Sequence, residues 1–168
     1  MTLTTCSTST RTSSRTHRAA LLPVEGAGRA AGEVVRLVLD AVNRRDGDAL
    51  VDLVHPDAEF FPILAALEGP VYTGHQGVRR WLRSLELDWE VFETRLDRVH
   101  DFGDSALGEG GWHARGRTSG VLLDSQGGAW LARVWDGRVT WWRTYTDRAE
   151  ALATAPTPGR FKGGRRAV

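Results

Sequence analysis

Cysteine is almost missing from this chain. Cys6 stands alone in a Ser/Thr-rich stretch, so no disulfide framework can form and no cysteine-based metal site is available. A chain of 168 residues buries roughly two thirds of its unfolded surface and needs no such staple. The thiol usage fits a reducing compartment, and the expected location is the cytoplasm. Long apolar runs are missing too, since none approaches the about 18 residues of a membrane-spanning helix. Lys162 is the sole lysine, and the net charge of +1 favours neither an acidic nor a basic partner. No phosphate-cradling glycine loop, Gly-x-Ser-x-Gly elbow or Cys/His metal spacing occurs. The expectation is therefore no metal and no cofactor.

The ends carry what little charge asymmetry there is. Residues 1–29 hold Arg11, Arg15 and Arg18 among many Ser and Thr. A transit peptide is one reading, but a leader with too little apolar surface to order itself is the favoured one. Residues 156–168 form a Pro/Gly/Arg-rich tail with Arg160, Lys162, Arg165 and Arg166, expected to be disordered. Without interleaved aromatics these ends read as solvated tails, so neither nucleic acid nor membrane is expected as a partner.

Between them, residues 30–155 read as one domain. Val34, Val35, Val38, Leu39 and Val42 recur at helical spacing. Arg45-Asp46-Gly47-Asp48 closes that helix, and Asp46 or Asp48 can cap a short second one. His55-Pro56-Asp57 ends it, and a strand from Ala58 to Phe61 follows. A brief extended piece, Val71-Tyr72-Thr73, leads to a third helix whose stripe is Val78, Trp81, Leu82 and Leu85. The period then changes to two over Trp89–His100, Ala106–Arg117, Val121–Trp135 and Arg138–Thr146. The separating turns, Asp136-Gly137 above all, predict an antiparallel meander. Asp147 caps a final short helix from Arg148 to Ala153. This is an α+β chain: about three N-terminal helices, a strongly curved antiparallel sheet wrapped over them as a cone-shaped barrel, and a short C-terminal helix.

Six segments in order resemble SnoaL-like proteins of the nuclear-transport-factor-2-like superfamily. They are Arg-Asp-Gly-Asp-Ala-Leu (45–50), His-Pro-Asp-Ala-Glu-Phe (55–60), Tyr-Thr-Gly-His-Gln-Gly-Val-Arg-Arg-Trp-Leu (72–82), Gly-Arg-Thr-Ser-Gly (116–120), Asp-Gly-Arg-Val (136–139) and Tyr-Thr-Asp-Arg-Ala-Glu-Ala-Leu (145–152). The resemblance covers about residues 30 to 155. It implies a pocket between the concave sheet and the helices. It also implies an activity drawn from a wide range: polyketide cyclase, steroid isomerase, epoxide hydrolase, dehydratase, or a noncatalytic binding or dimerising module.

Strand alternation assigns the faces. The predicted lining is Phe60, Tyr72, Trp81, Phe92, Trp112, Trp130, Trp142 and Thr144, an apolar site for a ring-bearing molecule with Tyr72 as polar anchor. The opposite face, with Leu131, Arg133, Trp135, Trp141, Arg143 and Tyr145, is too aromatic for water and predicts a homodimer. Enzymes of the resembled fold place an acid or histidine on the third or last strand. The corresponding inward positions here are Trp130, Trp142 and Thr144, so no catalytic residue carries over. Glu59 and His75 remain as weaker polar candidates, followed by Asp57, His113 and Asp147. Two functions stay open. One is a small-molecule pocket, extending to a cofactor-independent isomerase, cyclase, dehydratase or hydrolase of a hydrophobic cyclic substrate. The other is a noncatalytic ligand-binding or dimerisation module.

Overall fold

The computed structural model describes residues 28–62 and 71–155. The expectations for residues 1–27 and 156–168 lie outside that range. Among the described residues four helices and six strands follow in the order α1 (Ala31–Arg44), α2 (Gly47–Asp52), β1 (Val54–Phe61), β2 (Tyr72–Thr73), α3 (Gly74–Asp88), β3 (Trp89–Asp101), β4 (Ser105–Gly116), β5 (Leu122–Trp135), β6 (Arg138–Tyr145) and α4 (Arg148–Thr154). Among the described residues no helix is long and apolar enough to cross a membrane.

Local chemistry explains the helix limits. α1 turns the stripe Val34, Val35, Val38 and Val42 inward, each at most 2% exposed. Its N-terminus has no side-chain cap of its own, and Asp101 at the end of β3 accepts the Gly32 N–H at 2.8 Å instead. Asp46 caps α2 by accepting from the Ala49 N–H at 3.0 Å. Asp147 does the same for α4, accepting from Ala149 at 2.7 Å.

One mixed sheet in the order β2-β1-β6-β5-β4-β3 spans the domain. The meander β3–β6 is antiparallel as expected, and its last hairpin turns on Asp136 (φ 49°) and Gly137 (φ 70°). Two positive φ values in succession make the turn whose twist suits a two-residue hairpin. Three features differ from the expectation. β1 pairs with β6 in parallel, because short turns constrain only sequential neighbours and say nothing of the strand across the domain. The sheet also stays open, with β2 and β3 at its edges. β1 begins at Val54 rather than Ala58, and its register breaks between Val54 and Glu59. That break accommodates Pro56, which cannot donate to a ladder.

The bend of the sheet is concentrated at Glu109-Gly110-Gly111 on β4. There the β3–β4 register shifts between Leu96 and Arg98, and the β4–β5 register shifts between Gly110 and Trp112. A side chain on Gly110 would run into the Arg95 carbonyl, and one on Gly111 into that of Ser125. Two bulges flanking one strand sharpen the twist and curl the sheet over the helices.

Two apolar layers result. The main core packs α1, α2 and α3 against the concave face. A smaller cluster on the opposite face joins Leu107, Ala129, Leu131 and Tyr145 to Ala151 of α4. The C-terminal helix thus folds back over the outside of the sheet.

Candidate functional site

Inside the cone a small cavity survives between α1, α3 and the strands. Trp81, Phe92, Trp112, Trp130, Trp142 and Thr144 line it, together with Leu39, Val42 and Thr94. Six of the eight residues expected at the pocket therefore meet there. Phe60 does not reach it: fully buried, its ring stacks on Trp142 at 5.4 Å and 6° and leans on Trp81 at 4.9 Å. It is packing behind the lining. Tyr72 also stays outside, since β2 lies at the sheet margin and its ring faces the Arg80 guanidinium at 5.9 Å. The expected anchor role for Tyr72 is thereby removed. Leu39 and Val42 belong to the α1 stripe, where their helical spacing marked them as core. Thr94 was legible only as the inward alternate of Phe92.

The space itself is small. It offers about 20 Å³ for the centre of a water molecule, where one water needs roughly 10–15 Å³ by that measure. Trp112 and Trp130 meet edge to face at 6.3 Å and 69°, and the tight aromatic packing leaves room for about one solvent molecule.

Among the described residues, polar groups lining the cavity are few and neutral. The Trp142 indole N–H points to the Thr144 hydroxyl at 3.4 Å. Thr94 is tied to Asn43 of α1, donating its N–H at 2.8 Å and its hydroxyl at 2.9 Å to Asn43 Oδ1. Beside the cavity, Arg45 bonds the carbonyls of Val42 and Phe92 at 3.1 and 3.2 Å. Its guanidinium lies 5.6 Å from the centre of the Phe92 ring. Burial lowers the Arg45 pKa from its ordinary value, and the charge of Glu86 opposes that.

The weaker candidates lie elsewhere. Glu59 is exposed, alternating with buried Phe60. His75 Nε2 sits 2.8 Å from the Val54 carbonyl and ties the start of α3 to β1. Asp57 is 90% exposed at its side chain and 3.9 Å from His55. His113 is half-exposed and 3.9 Å from Asp124. Asp147 is the α4 cap. None reaches the cavity. Among the described residues no three His, Cys, Asp or Glu side chains cluster to hold a metal ion.

The outer face was read only in part from the sequence. Leu131 and Tyr145 are each 3% exposed, covered by α4, and so are not available on the surface of a single chain. Trp135 is 72% exposed. Trp141 is half-buried, with Arg133 over its ring at 5.2 Å. Glu109 was legible as an outward charge of β4 beside His113 and Arg115, but its burial and its partners were not. Its carboxylate is 8% exposed, and Oε1 accepts from His100 Nε2 at 2.9 Å and pairs with Arg148 Nε at 3.2 Å.

A helix-lined, curled six-strand sheet with this element order defines the nuclear-transport-factor-2-like fold. The structure is similar to an NTF2-like protein from Burkholderia thailandensis, with 25% identity and a TM-score of 0.63 over 76% of this chain and 99% of that one. A putative polyketide cyclase from Xanthomonas campestris gives 22% identity and a TM-score of 0.60 over 73% and 94%. A protein with a ketosteroid isomerase-like fold from Catenulispora acidiphila, in complex with trimethylamine, gives 18% and 0.61 over 72% and 90%. The last two likenesses speak for the fold alone. The family model for the SnoaL-like domain matches residues 35–158, and the chain belongs to that family. A comparison with curated proteins gave no match.

Proposed function

We propose that this SnoaL-like domain is a noncatalytic binding module that takes a small, apolar, ring-bearing molecule into its aromatic interior. The observation that carries the reading is the chemistry of the lining. Among the described residues it consists of aliphatic, aromatic and threonine side chains, with no carboxylate or imidazole. Acid–base catalysis needs such a group within reach of the reacting proton, and the described lining offers isomerase, cyclase, dehydratase and hydrolase mechanisms no proton carrier. Stacking on indole faces and a hydrogen bond from the Trp142–Thr144 pair remain as means of recognition.

The present volume sets the mode of binding. A dry site for benzene measures on the order of 150 Å³, far above the about 20 Å³ here. A ligand must therefore displace side chains, and Trp81, Phe92 and Trp112, each 7% exposed, are the lining rings nearest solvent. Ordering and rearrangement reduce affinity by the fraction of the open form.

The test is a titration with 2-naphthol read by tryptophan fluorescence and by indole N–H resonances. Saturable shifts at Trp112, Trp130 and Trp142, weakened in Thr144→Val, support the reading. No shift at any of the three means that the interior is only core.

A second reading, a dimerisation module, rests on a separate observation: the exposed indole of Trp135 beside Arg133 and Trp141 on the outer face. Light scattering after gel filtration tests it, and a monomer at micromolar concentration ends it.

A further inference from the structure

The bend at Glu109-Gly110-Gly111 leaves a second, polar cavity of about 200 Å³ on the outer face of the sheet, room for several waters. Arg98 of β3, Glu109 of β4, Gly127 and Gly128 of β5 and Arg148 of α4 line it. It lies across the sheet from the aromatic interior and does not depend on the function proposed for that interior.

The charges on its wall are unevenly engaged. Asp97 is held by Arg95, which donates from Nε at 2.9 Å and from Nη2 at 3.3 Å, and that bond keeps the Asp97 carboxyl below its ordinary pKa. Glu109 is buried and shared between His100 and Arg148. Only Nε of Arg148 takes part in that pair, and the side chain stays 52% exposed. Among the described residues Arg98 has neither an ion-pair nor a hydrogen-bond partner for its guanidinium. The cavity therefore holds two cationic groups with donors to spare, one of them anchored by a buried carboxylate.

The backbone adds to this. β5 carries one residue more than β4 between the Gly110–Gly128 and Trp112–Ser125 pairs, so a backbone group is left without a ladder partner. A side chain on Gly127 would meet nothing within 4 Å, so the space beside this backbone is open. Guanidinium forks match carboxylate and phosphate oxygens in geometry as well as charge.

We infer that the outer face of the sheet carries an anion-binding site between Arg98 and Arg148, fitted to a carboxylate or phosphate group of a small molecule.

The experiment is an NMR titration of the full chain with inorganic phosphate and, separately, acetate, at constant ionic strength set with chloride. The expected result is saturable shifts of the Gly127 and Gly128 amides and of the Arg98 and Arg148 Nε–H groups with at least one anion. Arg98→Gln should weaken binding about tenfold, the value of one charge-assisted hydrogen bond. Arg98→Lys, which keeps the charge and loses the fork, should fall between. Arg36→Gln, an exposed site on α1, should change nothing. Saturation by acetate and phosphate alike assigns the site to any small oxyanion, and by phosphate alone to a tetrahedral one. Failure of both anions to saturate overturns the proposal. So does an unchanged affinity in Arg98→Gln, or an equal response at Arg36, because each would mean nonspecific ion pairing.

Discussion

The indole of Trp112 fills the space in which a side chain on Gly128 would begin. A Cβ there would fall 2.6 Å from Trp112 Cε3 and closer still to Cζ3. Gly128 on β5 and Trp112 on β4 straddle the register shift of the neighbouring strands, so the bulge and the ring position depend on each other. Gly128→Ala should therefore act on the cavity. The ring cannot move inward without meeting Trp130, 6.3 Å away between centroids. Overpacking of this kind costs about 1–3 kcal/mol. A lower urea midpoint with a changed tryptophan emission is the expected outcome, and an unchanged midpoint would show that the ring has slack.

Tyr145 presents the opposite case, a group buried without need. Its hydroxyl is shielded from solvent and finds no hydrogen-bond partner among the described residues. An unsatisfied buried polar atom costs about 1–3 kcal/mol. Tyr145→Phe should leave stability unchanged or raise it, by up to about 1 kcal/mol, measured as a higher midpoint in urea. A clear loss would mean that the hydroxyl has a partner, and a loss confined to high protein concentration would place that partner on a second copy.

Those two residues mark where sequence reading succeeds and fails. Alternation along β4 put Trp112 on the concave side, because β4 itself has no inserted residue between Gly108 and Trp112. The same rule placed Trp130, Trp142 and Thr144. It misjudged Tyr72, because a two-residue strand at a sheet margin has too little ladder to aim a side chain inward. It separated Leu131 and Tyr145 from the concave face correctly, yet could not foresee that α4 returns to cover them. That is a contact between distant elements with no local periodicity to announce it. The burial of Glu109 was hidden for the same reason: it comes with His100 and Arg148, one on the neighbouring strand and one on α4. The small volume of the cavity was not legible either. Spacing tells which rings face inward, whereas free volume depends on how tightly they interdigitate.

The hold of α4 on the sheet can be weakened at its first residue contact. Asp147 accepts from the Ala149 N–H at 2.7 Å, and the helix has only seven residues, too few to be stable without caps and packing. Asp147→Ala should cost about 1 kcal/mol. Amide exchange should rise in α4 and in the strand segments around Leu131 and Tyr145, with the α1 and α3 amides unaffected. Uniform acceleration across the domain would instead indicate global destabilisation, and with it that α4 is not a separate unit.

A last prediction concerns acid. The Arg95 hydrogen bond keeps the Asp97 pKa below its ordinary 3.8, against a smaller opposing effect of desolvation. A carboxyl with a depressed folded-state pKa binds its proton more readily in the unfolded chain. Its contribution to stability is thus present above about pH 4 and is lost as the pH falls through the folded-state value. Carbon-detected NMR of the Asp97 carboxyl should give a midpoint below 3.8, and Arg95→Gln should return it towards that value. Both side chains are exposed, so salt should raise the midpoint as it screens the pair. A midpoint at or above the ordinary value in the unaltered chain would mean that Arg95 does not hold Asp97. The wall of the outer cavity would then carry a freely titrating acid, and anion binding there should strengthen as the pH falls.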